Sequence, residues 1–212
     1  MPALVKVEHV MVQTTGPLAA TPQQVVSYWI DEVGPKGWYA GGTDLDADIR
    51  ARFEGAWHEA RAGACGLWLT SPVGALGYIL LNDQLPRNMF RDHADAFATD
   101  PSARAAAKMA IDRGWDMRIP EPDRQFFYLP LMHSESLIDQ DRAVRLFKTK
   151  MPDDTGGNLR HARAHRHVIR QFGRFPYRNA ALGRTSTTAE DSWMTGGGYA
   201  DALRSVDASA AQ

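Results

Sequence analysis

The chain has 212 residues, 44% of them hydrophobic and 23% charged, which suits one soluble globular domain and excludes disordered, collagen-like and disulfide-scaffold classes. Lys+Arg 24 against Asp+Glu 25 gives a net charge of −1, so nucleic acid is not an expected partner on bulk charge. The single Cys65 can form neither an intrachain disulfide nor a thiolate metal cage, which fits a reducing cytoplasm, and no apolar run is long enough for a membrane span.

Residues 1–20 alternate Val5, Val7, Val10 and Val12 with polar neighbours, so they read as a short strand or extended arm, or as a leader. Helices follow as a single domain over 21–200. Thr21-Pro22 is an N-cap with proline in the first turn, and it opens a helix that Gly34, Pro35 and Gly37 close. A second helix runs from about Asp44 to Gly63, with Ile49, Phe53, Ala56, Trp57 and Ala60 on one face. Ser71-Pro72 opens a third, which Pro86 is expected to stop, and Asp100-Pro101 opens a fourth that ends before Gly114. Further helices are predicted over Pro120–His133, Ser134–Lys150, Asn158–Gly173 and Thr188–Met194. A Gly-Gly-Gly stop follows, and the small, polar tail 201–212 is expected to fray. The fold class is therefore all-α, built of antiparallel helix pairs.

Two segments, Gly74–Leu85 and Gln125–Met132, are apolar nearly all round and then turn abruptly polar. Such helices lie inside a bundle, and their polar ends suit the floor of a cleft. Asp83 falls on the apolar face with Leu76, Ile79 and Leu80, where a bare carboxylate would cost several kcal/mol; it must be paired, either as a helix lock or in a ligand site. Gln84, Arg87, Asn88 and Arg91 follow it. The run Leu85-Pro86-Arg87-Asn88 is echoed by Phe175-Pro176-Tyr177-Arg178-Asn179, which suggests two polar corners that meet across a groove.

The stretch 155–189 holds seven Arg, three His and no acidic residue. Its stripe Arg160, Arg163, Arg166, Arg170 and Arg174 reads either as a surface for phosphate, RNA or an acidic partner, or as a solvated face balanced by acidic neighbours. His161 and His165 stand four apart on the opposite, inward side. The spacing HARAH lacks a zincin glutamate, so no metal site is expected there, and no cofactor motif occurs elsewhere.

These blocks carry a resemblance. LLNDQLPRNMFR, AFATDPSA, FFYLPLMHSESLIDQDRAVRLF and RHARAHRHVIRQFGRFPYRNAALGRTST closely resemble bacterial domain-of-unknown-function family 924, over about residues 22–200. Trp29, Trp38-Tyr39 and Phe53 look like the aromatic N-terminal part of that family, and residues 1–20 have no counterpart in it. The resemblance implies a tetratricopeptide-like superhelix and supplies no activity. Asp83, Gln84, Arg87, Asn88, Arg91, His133, Glu135, Asp139, Gln140, His165, Arg174, Arg178 and Asn179 match its motif blocks. All of these except Asp139 are taken as candidate ligand-binding residues, in a pocket for a small anion or an acidic peptide. A scaffold without a small-ligand site is one alternative. The other is a hydrolase or lyase with His133 or His165 as base and Glu135 or Asp83 beside it.

Overall fold

In the computed structural model, residues 18–154 and 157–210 are described, and their regular structure is entirely helical. The expected strand or arm at the N-terminus lies almost wholly outside the described residues. None of the described helices is long and apolar enough to cross a membrane.

Thr21 caps α1 (Pro22–Ser27) with a reciprocal capping box to Gln24. The helix then widens into a π-helical turn over Tyr28–Val33, and a short α2 (Gly34–Gly37) follows at Gly34, whose φ is 64°. The long α3 (Thr43–Arg61) buries Ile49, Phe53, Ala56, Trp57 and Ala60, the face read from the sequence. Ser71 caps α4 (Pro72–Ile79), which is buried on nearly every side. It lies so close to α1 that a methyl group on Gly77 would come within 2.8 Å of the Pro22 carbonyl oxygen.

Pro86 does not stop the third helix. A π-helical turn over Leu80–Gln84 follows α4, and α5 (Leu85–Met89) carries Pro86 in its first turn. Proline has no N–H to offer the carbonyl four residues back, here that of Asn82. The Thr99 hydroxyl donates to that carbonyl at 2.7 Å and itself accepts the Trp57 indole N–H at 3.0 Å. The lost helical bond is thus replaced from a neighbouring segment, and the chain continues instead of turning away.

After α6 (Asp100–Asp112), the expected helix over 120–133 is a 3₁₀ turn at Asp123–Phe127 and a short α7 (Leu129–Met132). Pro130 interrupts the ladder at that point. Phe126, Phe127, Tyr128 and Leu131 are nevertheless fully buried. The sequence then forms α8 (Leu137–Lys150), α9 (Asn158–Phe172) and α10 (Thr188–Thr195).

The tail is a correction. Residues 198–210 form α11 (Gly198–Ala210), which packs along α9 instead of fraying. Its Tyr199, Ala202, Leu203 and Val206 recur at helical spacing and join Ala164, Val168, Ile169, Phe175 and Trp193 in a second, smaller core. The main core gathers α1, α3, α4, the 120s segment and α8 around Trp29, Trp57, Ile79, Phe126 and Phe147.

Candidate functional site

A cavity of about 460 Å³ opens where the ends of these apolar segments meet. Each of the two π-helical turns delivers a side chain to its lining: Trp29 from the first and Gln84 from the second. Such turns redirect side chains out of helical register and recur at functional sites. Arg87, Asn88 and Arg91 come from α5 and the residues after it, Leu129, Met132 and His133 from α7 and its end. Asn158, His161 and His165 come from α9 and Tyr199 from α11. Trp38, Tyr39, Ala40 and Gly41 complete the rim.

Asp83 lies directly behind the lining, fully buried, and organises it. Its carboxylate oxygens sit 2.9 and 3.0 Å from His133 Nδ1, accept Gln84 Nε2–H at 2.5 Å, and lie 3.6 Å from Arg87 Nη2. Burial alone would raise its pKa, but His133 and Arg87 outweigh that and hold the carboxyl below the usual carboxylate range. Burial pushes the His133 pKa down; Asp83 opposes the shift and Arg87 reinforces it. The pair therefore rests as an ionised Asp83 that accepts Nδ1–H from a neutral His133. Nε2 of that imidazole has no protein partner among the described residues.

The two Pro-containing corners do meet, though not across an open groove. Arg87 Nη2 donates to both oxygens of Asp100 at 3.0 and 3.2 Å, and Arg178 Nη1 reaches Asp100 Oδ2 at 3.4 Å. Arg178 lies between the Phe97 and Phe175 rings, 4.7 and 4.5 Å from their centroids, and burial together with Arg87 lowers its pKa. This is a buried ionic lock between helices.

Of the residues read from the sequence, Gln84, Arg87, Asn88, Arg91, His133 and His165 line the cavity, with Asp83 behind them. Glu135, Gln140, Arg174, Arg178 and Asn179 do not, and each engages protein instead. Glu135 accepts the Phe175 N–H at 3.0 Å and an Arg184 N–H at 2.9 Å. Gln140 donates to the Met132 and Ser134 carbonyls, both at 2.6 Å. Arg174 forms a bidentate pair with Glu190, the capping residue of α10, at 2.6 and 2.7 Å, and Asn179 donates to Ser186 Oγ at 3.1 Å. In the remainder of the arginine stripe Arg160 binds Asp207, Arg166 and Arg170 share Asp141, and Arg163 has no acidic partner among the described residues.

Sequence reasoning did not assign Trp29, Trp38, Tyr39, Asn158, His161 or Tyr199 to the pocket. Trp38 Nε1 donates to the Trp29 carbonyl at 2.7 Å, and both rings pack on Phe126, which makes a rigid aromatic wall. The Trp29 indole N–H is buried with no acceptor among the described residues. The Tyr199 hydroxyl stands 2.9 Å from Nδ1 of both His161 and His165, and no local pattern in the sequence links residues this far apart. Burial and His133 push the His165 pKa down to about 3, so it is neutral. Among the described residues no three His, Cys, Asp or Glu side chains converge as metal ligands. Cys65 is buried away from the cavity, and burial raises its thiol pKa to about 11, which removes it as a nucleophile.

The model of a family described as bacterial protein of unknown function (DUF924) matches residues 25–198 of the chain. A solved structure, that of a protein of unknown function from Agrobacterium tumefaciens, is 38% identical in sequence. It superposes with a TM-score of 0.77 over 83% of this chain and 97% of the other. No curated protein matches the chain.

Proposed function

The chain belongs to the bacterial DUF924 family, and from that premise we propose that its cavity binds a small organic anion, the carboxylate end of an acidic peptide included. The observation that carries this reading is the lining itself: two arginines, two asparagines, a glutamine and three imidazoles line it, and no carboxylate among the described residues does. The acidic partners of the arginines, Asp46, Asp83 and Asp100, stand behind the wall. Arg87 gives Nη2 to the Asp100 carboxylate and Nη1 to the Asp83 carbonyl. Arg91 gives Nε and one Nη to Asp46 at 2.9 and 2.8 Å, and its other Nη has no partner among the described residues. A planar carboxylate or phosphate can take that donor together with Asn88.

Trp29, Trp38, Leu129, Met132 and Tyr199 supply apolar surface for the body of the ligand, and the volume falls within the range of about 300–1,000 Å³ usual for small-molecule sites. The packing of α8 on α9 and of α9 on α11 supports a tetratricopeptide-like arrangement of helix pairs around this site.

Thermal unfolding with benzoate, phenyl phosphate and neutral benzyl alcohol tests the reading. An anion at 100 times its Kd adds about 2.7 kcal/mol, a rise of a few degrees in Tm for a chain of this size. The rise is expected with the two anions, absent with benzyl alcohol, and lost in Arg91→Ala. An equal response to the alcohol, or an undiminished response in Arg91→Ala, contradicts it.

A further inference from the structure

We propose that Asp83 and His133 make the cavity a general-base site, at which His133 Nε2 removes an acidic C–H proton from a bound organic anion and so starts an elimination. This deepens the anion-binding reading and rests on it for the identity of the substrate. The geometry has three parts. First, Asp83 accepts Nδ1–H of His133 at 2.9 and 3.0 Å, which fixes the ring and its tautomer and leaves the lone pair on Nε2. Second, His133 is a lining residue and Nε2 meets no donor among the described residues, so that lone pair is available to whatever occupies the cavity. Third, no serine, threonine or cysteine among the described residues lines the cavity, and the two hydroxyls that do, of Tyr39 and Tyr199, are taken up by Gln125 and by His161 and His165. The proton that Nε2 removes is therefore one that the occupant brings.

The groups around His133 agree with this role. Asp83 holds the imidazolium that forms, while burial and then Arg87, itself paired to Asp83 and Asp100, oppose permanent protonation. The resting imidazole is therefore neutral. His165 is the weaker candidate, because its Nδ1 is occupied by the His161 carbonyl and the Tyr199 hydroxyl and burial keeps it from accepting a proton.

In the step itself the substrate C–H bond breaks and the proton passes to Nε2. The freed electron pair forms the new π bond to the adjacent atom, and the leaving group departs from that atom with its own pair. The imidazolium then returns its proton to the leaving group. His133 is the catalytic residue, and Asp83 is a positioning residue that acts through it.

The base can be read without the natural substrate. 5-Nitro-1,2-benzisoxazole is a flat aromatic whose C–H proton, once removed, releases a coloured phenolate by N–O cleavage. The full chain is expected to accelerate this elimination, with a rate that rises with pH to a plateau and a midpoint below the ordinary histidine value of about 6.5. His133→Gln, confirmed as folded by circular dichroism, is expected to lose roughly 100-fold or more of the acceleration. Asp83→Asn is expected to lower the plateau and move the midpoint to lower pH, because it removes the negative charge that favours the imidazolium. Should His133→Gln fail to fold, diethyl pyrocarbonate provides the second route: wild-type activity is expected to fall in step with carbethoxylation of His133, read by mass spectrometry.

Turnover that survives His133→Gln or carbethoxylation overturns the proposal, as does the absence of turnover above buffer. If benzoate stabilises the protein through Arg91 but no His133-dependent elimination occurs, the general base is refuted and anion binding stands. If elimination occurs and benzoate neither stabilises the protein nor inhibits, the base stands and anion binding is refuted.

Discussion

Arg87 and Arg178 sit at the heart of the molecule on one carboxylate, Asp100, whereas Arg166 and Arg170 share the carboxylate of Asp141 on the outside of α9. Both arrangements set two arginines on one aspartate, although Arg87 also meets Asp83. They differ in solvent. The Asp100 side chain is 11% exposed and that of Arg178 7%, against 42% for Asp141 and 54% for Arg170. Water and counterions can replace a partner of Asp141 in the outer group, while little solvent reaches Asp100 and Arg178 to do so in the inner one. The same contrast separates a cavity whose charges are held in place from a surface whose charges merely balance.

The largest effect should come from breaking the inner group. Asp100→Ala strands the buried Arg178 guanidinium and leaves Arg87 with Asp83 alone, and is expected to cost about 3–5 kcal/mol in urea unfolding. A loss under 1 kcal/mol would place the cluster in the same class as the α9 surface.

A smaller effect sharpens the contrast through pH. His133, His161 and His165 all have lowered pKa values in the fold, His165 at about 3, with burial as the leading cause. Above about 6.5 they are neutral in both folded and unfolded chains and do not influence stability. As pH falls below that value, the unfolded chain binds protons that the native chain refuses, so stability must drop, by up to about 1.4 kcal/mol per pH unit for each histidine. His165→Gln is expected to flatten that slope between pH 6.5 and 4, as followed by Tm against pH. An unchanged slope would mean that His165 is not held neutral.

The smallest effect belongs to the outer group. Arg166→Ala should change unfolding stability by less than about 1 kcal/mol, and added salt should shrink the difference further. A loss as large as that of Asp100→Ala would erase the distinction.

How much of this was legible in the sequence follows the range of the interactions. Helix starts at Thr21-Pro22, Ser71-Pro72 and Asp100-Pro101 are local chemistry, and the helices begin there or within a residue. The burial and pairing of Asp83 follow from its place among Leu76, Ile79 and Leu80, and the fold supplies the partners. Pro86 was misleading because its effect is cancelled by Thr99, thirteen residues away, whose hydroxyl takes over the orphaned carbonyl. The tail was misleading because its small residues hide a stripe of Tyr199, Ala202, Leu203 and Val206 that only α9 can cover. Five polar candidates turned outward from the cavity for a related reason: Glu135, Gln140, Arg174, Arg178 and Asn179 look like binding groups in sequence, and the fold uses them to fasten loops and helix ends. The aromatic wall had no local signature at all.

The account stands on the state of one imidazole, and nitrogen-15 NMR of the histidine side chains at neutral pH reads it directly. His133 is expected as a neutral ring with its proton on Nδ1 and a bare Nε2, changing to the opposite tautomer in Asp83→Asn. A His133 that carries its proton on Nε2, or one that is doubly protonated at neutral pH, would contradict it.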